Sequence, residues 1–207
     1  MVDSPFIRAL AWLLYNQRNK EHELIFNDAR FVDVPKSIVV QSPDFAADEY
    51  MPPYTAGVKS GGENSSPPLS IKNVPAEAKS LVWVMQDIDV PLPIKGTHFI
   101  AYGINPKTSE YSKGWFSTES EPEQKGLLKW GWGAGNRIGY FGPGPPPGHG
   151  DHQYFFEAYA INEEATERLE KEHDISAGKR VNLDQLMNIM HGNVLSMGYL
   201  KGLYVKP

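Results

Sequence analysis

The sequence predicts a mostly antiparallel β domain with few helices. Three observations carry this. Short apolar and aromatic runs recur along the chain. Gly/Pro-rich stretches separate them, with 19 glycines and 17 prolines in 207 residues. Helical spacing is confined to the N-terminus and to the region after residue 162.

Residues 6–15 (FIRALAWLLY) place Phe6, Ala9, Leu10, Leu13 and Leu14 on one helical face, with Ser4 as N-cap and Pro5 as first helical residue. The stretch is too short to span a bilayer, and it lacks a basic leader region and a small-residue cleavage site. A helix packed on the body of the domain, or on a second copy in a homodimer, is expected. Attachment to a membrane surface would require more Lys and Arg on its polar face. Residues 1–24 are read as a helical extension and residues 25–207 as the β domain, with no flexible linker between them.

Residues 24–31 and 37–40 read as the first strands. Residues 42–57 and 61–70 are loops rich in Pro, Gly and Ser. Residues 79–85 (KSLVWVM) are a buried strand by aliphatic and aromatic density. QDIDVPLPIKG leaves that strand as a loop, and residues 97–104 (THFIAYGI) form the next strand. Residues 110–135 are irregular, with Trp115, Trp130 and Trp132 among glycines, and Trp130 and Trp132 are expected to pack rather than stack on a ligand. Residues 139–161 (GYFGPGPPPGHGDHQYFFEAYAI) organise the chain: a stiff loop that no helix or interior strand tolerates feeds a strand over 153–161. Residues 163–173 form an exposed helix. Leu183, Leu186, Met187, Met190 and Val194 keep helical spacing behind an Asn182 cap, with the two methionines in the core. Residues 198–207 close the chain as a last strand.

Composition narrows the function. The net charge of −5 argues against nucleic-acid binding, and the lack of cysteine excludes disulfides, thiol catalysis and zinc–thiolate sites. Together with the poor leader, this makes a cytoplasmic protein the expectation. Chemistry concentrates where strands begin or end. Asp87 and Asp89 follow one strand, His98 opens the next, and His152 opens the third with Tyr154 on the same side. Neighbouring strands would bring these groups together at one end of the sheet. A carboxylate can orient and charge an imidazole, and the amides of Gly142, Gly144 and Gly148 can face an anion. The same groups suit acid–base catalysis. Asp89 taken alone reads as a turn former, and His149 as a solvent-exposed loop residue. HGDH at 149–152 lacks the cysteines or helical spacing of a metal site, so no metal and no cofactor are expected.

These residues sit in a familiar pattern. GGENSSPPLS, AKSLVWVMQDIDVP, His98 followed by an aromatic, GNRIGYFGPGPPPG and HQYFFEAYAI together resemble the phosphatidylethanolamine-binding protein family, also called the Raf kinase inhibitor protein family, in its bacterial and fungal form. The match runs from about Pro43 to the C-terminus. The resemblance implies a central antiparallel sheet packed on a smaller sheet, with peripheral helices and a small anion pocket at one end. By position it implies that Asp87, Asp89, His98, Gly144, Pro145, His152 and Tyr154 are ligand-binding. Ile88, Val90 and Phe99 depart from the family pattern and alter the pocket wall, which argues against a phospholipid. The chain stops soon after Tyr204, without the C-terminal helix that borders the pocket in animal members, so a more open site is expected.

The first expectation is therefore a binding module for a small anionic or phosphate-bearing ligand, with His98 and His152 as donors and Asp87 orienting one of them. The alternative is a cofactor-independent isomerase or cyclase using Asp87, His98 and His152 for acid–base catalysis on a small organic metabolite. Nearby aromatic residues would favour an aromatic ligand in that case. A third reading is a protein inhibitor of a kinase or protease, which no sequence feature demands.

Overall fold

The computed structural model describes residues 9, 12–118, 125–174 and 176–206. The apolar run after Lys79 becomes β4 (Ser80–Asp87), every residue of which is buried. Its neighbours are β5 (Gly96–Ile104) and β8 (His152–Ile161), both antiparallel to it. β9 (Val194–Tyr204) pairs antiparallel with β8. Short β2 (Glu49–Tyr50) and β7 (Lys129–Trp130) close the two edges of this six-stranded sheet, whose order is β2-β9-β8-β4-β5-β7. β2 runs parallel to β9. A second sheet of three strands joins β1 (Val39–Gln41), β3 (Leu69–Lys72) and β6 (Glu110–Tyr111).

The main sheet is buried on both faces, so its central strands read as continuous apolar runs rather than clean alternation. One face carries Leu81, Trp83, Met85, Tyr154, Phe156 and Ala158 against the small sheet. The other carries Val82, Val84, Phe155, Tyr159 and Ile161. It is covered by α1 (Glu163–Lys171), α2 (Leu183–Met190) and the segment around Leu24–Phe31. Asn182 caps α2 in a complete capping box with Gln185, which satisfies two of the amides left open at its N-terminus. The helical spacing predicted to reach Val194 ends at Met190, and Val194 opens β9.

Residues 24–31 are not a strand. They form successive 3₁₀ turns at Ile25–Asn27 and Ala29–Phe31, with Leu24, Ile25, Phe26 and Phe31 buried. Their amides find side chains instead of a ladder. Ile25 N–H donates to Gln86 Oε1 at 2.9 Å, and Phe26 N–H donates to Glu157 Oε2 at 3.0 Å. Glu157 is fully buried within β8, also accepts from the Tyr159 hydroxyl, and leaves Oε1 with no partner among the described residues. Burial pushes its pKa up to about 8, against the opposing Tyr159 and Phe26 hydrogen bonds.

Phe6 and Leu10 of the predicted N-terminal helix lie outside the described residues. Leu13, predicted on its packed face, is 70% exposed, and Trp12 beside it is 77% exposed. Residues 14–20 instead run across the end of the main sheet.

Candidate functional site

β4 ends at Asp87, β5 begins near His98 and β8 begins at His152, so the antiparallel order brings three polar groups to one end of the sheet. Asp87 is directly opposite Tyr154 across the β4–β8 ladder. Its Oδ2 accepts from His152 Nδ1 at 2.8 Å, and its Oδ1 accepts from the Asp89 amide at 2.8 Å. His98 Nε2 stands 3.9 Å from Asp87 Oδ2, an ion-pair distance beyond hydrogen-bond range. His98 Nδ1 donates to the Phe141 carbonyl, and its ring stacks on Phe141 with centroids 5.7 Å apart. Burial would raise the Asp87 pKa, but the hydrogen bonds and charges of His152 and His98 outweigh it and hold the carboxyl below its ordinary value. Asp87 is therefore ionised, and His152 Nδ1 carries the proton between them.

Tyr154 presents a hydroxyl that is buried without a hydrogen-bond partner among the described residues. Burial, then the Asp87 charge, raise its pKa well above 10.0, while the Gly144 amide opposes them. Gly144 is also on the wall of a pocket of about 440 Å³ lined by Gly57, Lys59, Ser60, Arg137, Phe141 and Gly142 among others. Arg137 lies over the Phe141 ring at 3.9 Å, so Phe141 contacts both a guanidinium and the His98 imidazole. Lys59 forms no ion pair among the described residues. Asn64 Oδ1 accepts from the Gly142 amide at 2.8 Å, and Asn64 Nδ2 donates to the Tyr140 carbonyl at 3.2 Å, which pins the loop from both sides. Glycine at 142 lets two backbones approach closely: a Cβ there would stand 2.1 Å from the Thr55 carbonyl oxygen, so a larger residue would force the loop to shift.

Asp87, His98, His152, Tyr154 and Gly144 thus meet, but two sequence expectations change. Asp89 is turned away from the others. Its Oδ2 accepts from the Gln153 amide at 2.7 Å and its Oδ1 from the Asn19 amide at 2.8 Å, with Arg18 Nε at 3.6 Å. It ties the N-terminal segment to β8, because the chain has left the strand by residue 89 and the side-chain alternation expected there no longer holds. His149 is not exposed. It is 0% accessible, with Nδ1 at 2.8 Å from His152 Nε2 and Nε2 at 3.0 Å from the Leu14 carbonyl. Its burial comes from partners distant in sequence or across a turn, so local glycine content misleads. Both ring nitrogens of His152 are consequently engaged, and it is not the free donor that the sequence suggested.

Pro145 is buried beside Gly144 in the same loop. Phe99 and Ile88, expected to reshape the pocket wall, lie in the core. Phe99 stacks on Phe116 at 4.8 Å, and Ile88 is among the residues that cover the far face of the sheet. No group of three or more His, Asp or Glu side chains placed to hold a metal occurs among the described residues. The residues sequence reasoning missed are Lys59 and Arg137 at the pocket, and Arg18 and His149 behind the site. Arg137 carried a faint signal, standing in the GNRIGYFG stretch just before the Pro/Gly loop.

Comparison with known proteins agrees with the fold. Residues 41–205 match the family model described as phosphatidylethanolamine-binding protein. A UPF0098 protein of Pyrococcus abyssi is 33% identical over 169 residues, covering 82% of this chain and 86% of the relative. A UPF0098 protein of Pyrococcus horikoshii is 34% identical over 160 residues, covering 77% and 73%. Among solved structures, a phosphatidylethanolamine-binding protein homologue from Chlamydia trachomatis superposes with a TM-score of 0.66 at 28% identity, covering 83% of this chain and 99% of that one. E. coli YbcL, described as a new member of the mammalian phosphatidylethanolamine-binding protein family, has a TM-score of 0.65 at 19% identity over 81% of this chain and 97% of its own, and is similar in fold.

Proposed function

This chain belongs to the phosphatidylethanolamine-binding protein family, and we propose that it binds a small anionic ligand at the end of the main sheet, between the loop at Gly142–Gly144 and His98. The observation that carries the reading is the Tyr154 hydroxyl, buried with no hydrogen bond of normal geometry and set beside the Asp87 carboxylate and the Gly144 amide that lines the neighbouring pocket. An unpaired buried hydroxyl costs roughly 1–3 kcal/mol, a cost that an oxyanion would remove. Lys59 and Arg137 supply positive charge at the rim, and Phe141 and Val58 supply an apolar wall for the remainder of the ligand. Asp87 and His152 act behind this, with the Asp87 carboxylate 3.9 Å from His98 Nε2 and the Phe141 carbonyl fixing His98 through Nδ1. A phosphate monoester or a carboxylate with a small apolar group fits this chemistry.

Titration with inorganic phosphate and with phosphoethanolamine, followed by thermal unfolding, tests it. Binding at about 100 times Kd adds about 2.7 kcal/mol to the stability of the folded form. Tyr154→Phe and Arg137→Gln should each weaken the effect several-fold without lowering the ligand-free melting temperature. Absence of stabilisation by any phosphate or carboxylate would rule the reading out.

A second reading is acid–base catalysis on a small organic molecule without a cofactor. The observation favouring it is His98 Nε2, backed by the Asp87 carboxylate at 3.9 Å yet lacking a hydrogen bond. Turnover lost in His98→Gln while ligand binding persists would support it, and a panel of pocket ligands that come through unchanged would count against it.

A further inference from the structure

His149 and His152 offer four ring nitrogens, and these make three contacts in a row. The Leu14 carbonyl is 3.0 Å from His149 Nε2, His149 Nδ1 is 2.8 Å from His152 Nε2, and His152 Nδ1 is 2.8 Å from Asp87 Oδ2. Both outer partners only accept: one is a backbone carbonyl, the other a carboxylate. Each outer contact needs an N–H, and the inner contact between two ring nitrogens needs another. Two neutral imidazoles carry two N–H protons between them. The row is complete only with a third.

We propose that His149 and His152 share one extra proton, and that this proton latches the N-terminal segment, residues 14–20, over the back of the site with His149 as the positioning residue. Without it, one contact becomes lone pair against lone pair. The Asp87 contact is held by a carboxylate, and the inner contact is buried between strand and loop. The contact that fails is the one to Leu14, whose neighbours Trp12 and Leu13 are exposed.

The surrounding charges fit this count. Asp87 and Asp89 bring two formal negative charges, and Arg18 brings one positive. The guanidinium lies 3.6 Å from Asp89 and donates to the His149 and Asp151 carbonyls. One charge on the histidine pair makes the buried set neutral, which avoids an uncompensated charge in a dry site. The remaining groups leave the count unchanged. The Asp151 carboxylate accepts from the Tyr50 hydroxyl, the Tyr15 ring meets His149 edge-on at 6.1 Å, Tyr154 stacks on His152 at 6.3 Å, and His98 lies beyond Asp87. Burial lowers the His149 pKa; the Leu14 carbonyl opposes this, while His152 and Arg18 reinforce it. The latch is therefore expected to close in mildly acidic solution and to loosen as the pH rises past that range. Arg18, Asn19 and Lys20 still tether the segment in the loosened state, so what changes is its tightness. This inference stands apart from ligand binding, since none of these contacts involves the pocket.

Long-range ¹H–¹⁵N spectra of the imidazoles, recorded between about pH 5 and about pH 8, read the tautomer and charge of each ring directly. In parallel, amide exchange protection is followed at Asn19 and Lys20, which donate to Asp89 Oδ1 and the Ile88 carbonyl. The expected result is a proton on His152 Nδ1 throughout, one further proton on the pair at the acidic end, and several-fold loss of Asn19 and Lys20 protection as it leaves. His149→Gln supplies an uncharged donor to Leu14 and should keep the segment protected at every pH. His149→Leu should hold it at the reduced, high-pH level of protection at every pH while β4 and β8 amides remain protected. A pair that stays neutral across the range, protection that ignores the titration, or protection that rises as the proton leaves would each overturn the proposal.

Discussion

Glu157→Gln should abolish a loss of stability that the wild-type protein suffers as the pH rises. Glu157 sits fully buried in β8, and its pKa is raised from 4.5 to about 8 by burial. A group whose folded pKa lies above its unfolded value contributes stability that is present below the unfolded value and is lost as pH climbs through the folded one. At about 1.36 kcal/mol per unit, the whole shift is worth about 5 kcal/mol, and the interval from about pH 5.5 to about pH 7.5 accounts for about 3 kcal/mol of it. Other groups titrate differently. Asp28 and Asp87 are held below 3.8, so their stability is lost only in stronger acid. His173 is lowered from 6.5 by burial, so it costs stability as the pH falls, the opposite sign. Comparing wild type with Glu157→Gln at each pH cancels these. The comparison is clean because the protonated carboxyl and the amide leave the same buried corner unpaired. Urea unfolding at three pH values measures it: the variant should gain on the wild type by about 3 kcal/mol across that interval. The segment 24–31, held through the Phe26 amide, should be the first to lose amide protection as Glu157 ionises. Parallel stability curves for the two proteins would refute the reasoning.

Three further outcomes follow from the site. Gly142→Ala should lower the melting temperature, by about 1–3 kcal/mol of overpacking against the Thr55 carbonyl. Gly144→Ala, whose Cβ meets only Ser60 Oγ at 3.3 Å, should keep the melting temperature and instead weaken binding of inorganic phosphate in the pocket it narrows. Asp87→Asn should destabilise by about 1.5–3 kcal/mol, since it replaces the charge-assisted hydrogen bond to the buried His152 Nδ1 with a neutral one; chemical denaturation near neutral pH reads this directly.

Much of the fold was legible in local pattern. β4, β5 and β8 were visible as apolar runs bounded by Gly, Pro and Asp, because a strand buried on both faces must be apolar along its length. α1 was visible as a polar helical run, and α2 through its Asn182 cap and apolar spacing. Residues 24–31 deceived because Leu24, Ile25, Phe26 and Phe31 have the composition of a strand. What stops them forming one is that their amides bond to Gln86 and Glu157, 61 and 131 positions away. The site was legible in part for the same reason. Asp87, His98, His152 and Tyr154 stand at strand ends, so strand pairing alone brings them together. His149 and Arg18 are in turns, where no periodicity says which way a side chain faces.

By itself the sequence determined which segments could be strands or helices and which polar groups would stand at their ends, since steric preference and side-chain alternation act between near neighbours. Only the tertiary structure decided that Asp89 and Arg18 serve the N-terminal segment, that His149 lies buried against His152, and that Glu157 is sealed inside the sheet. Those outcomes depend on desolvation and proton sharing between groups brought together from distant parts of the chain, where the electrostatic cost of each depends on every other.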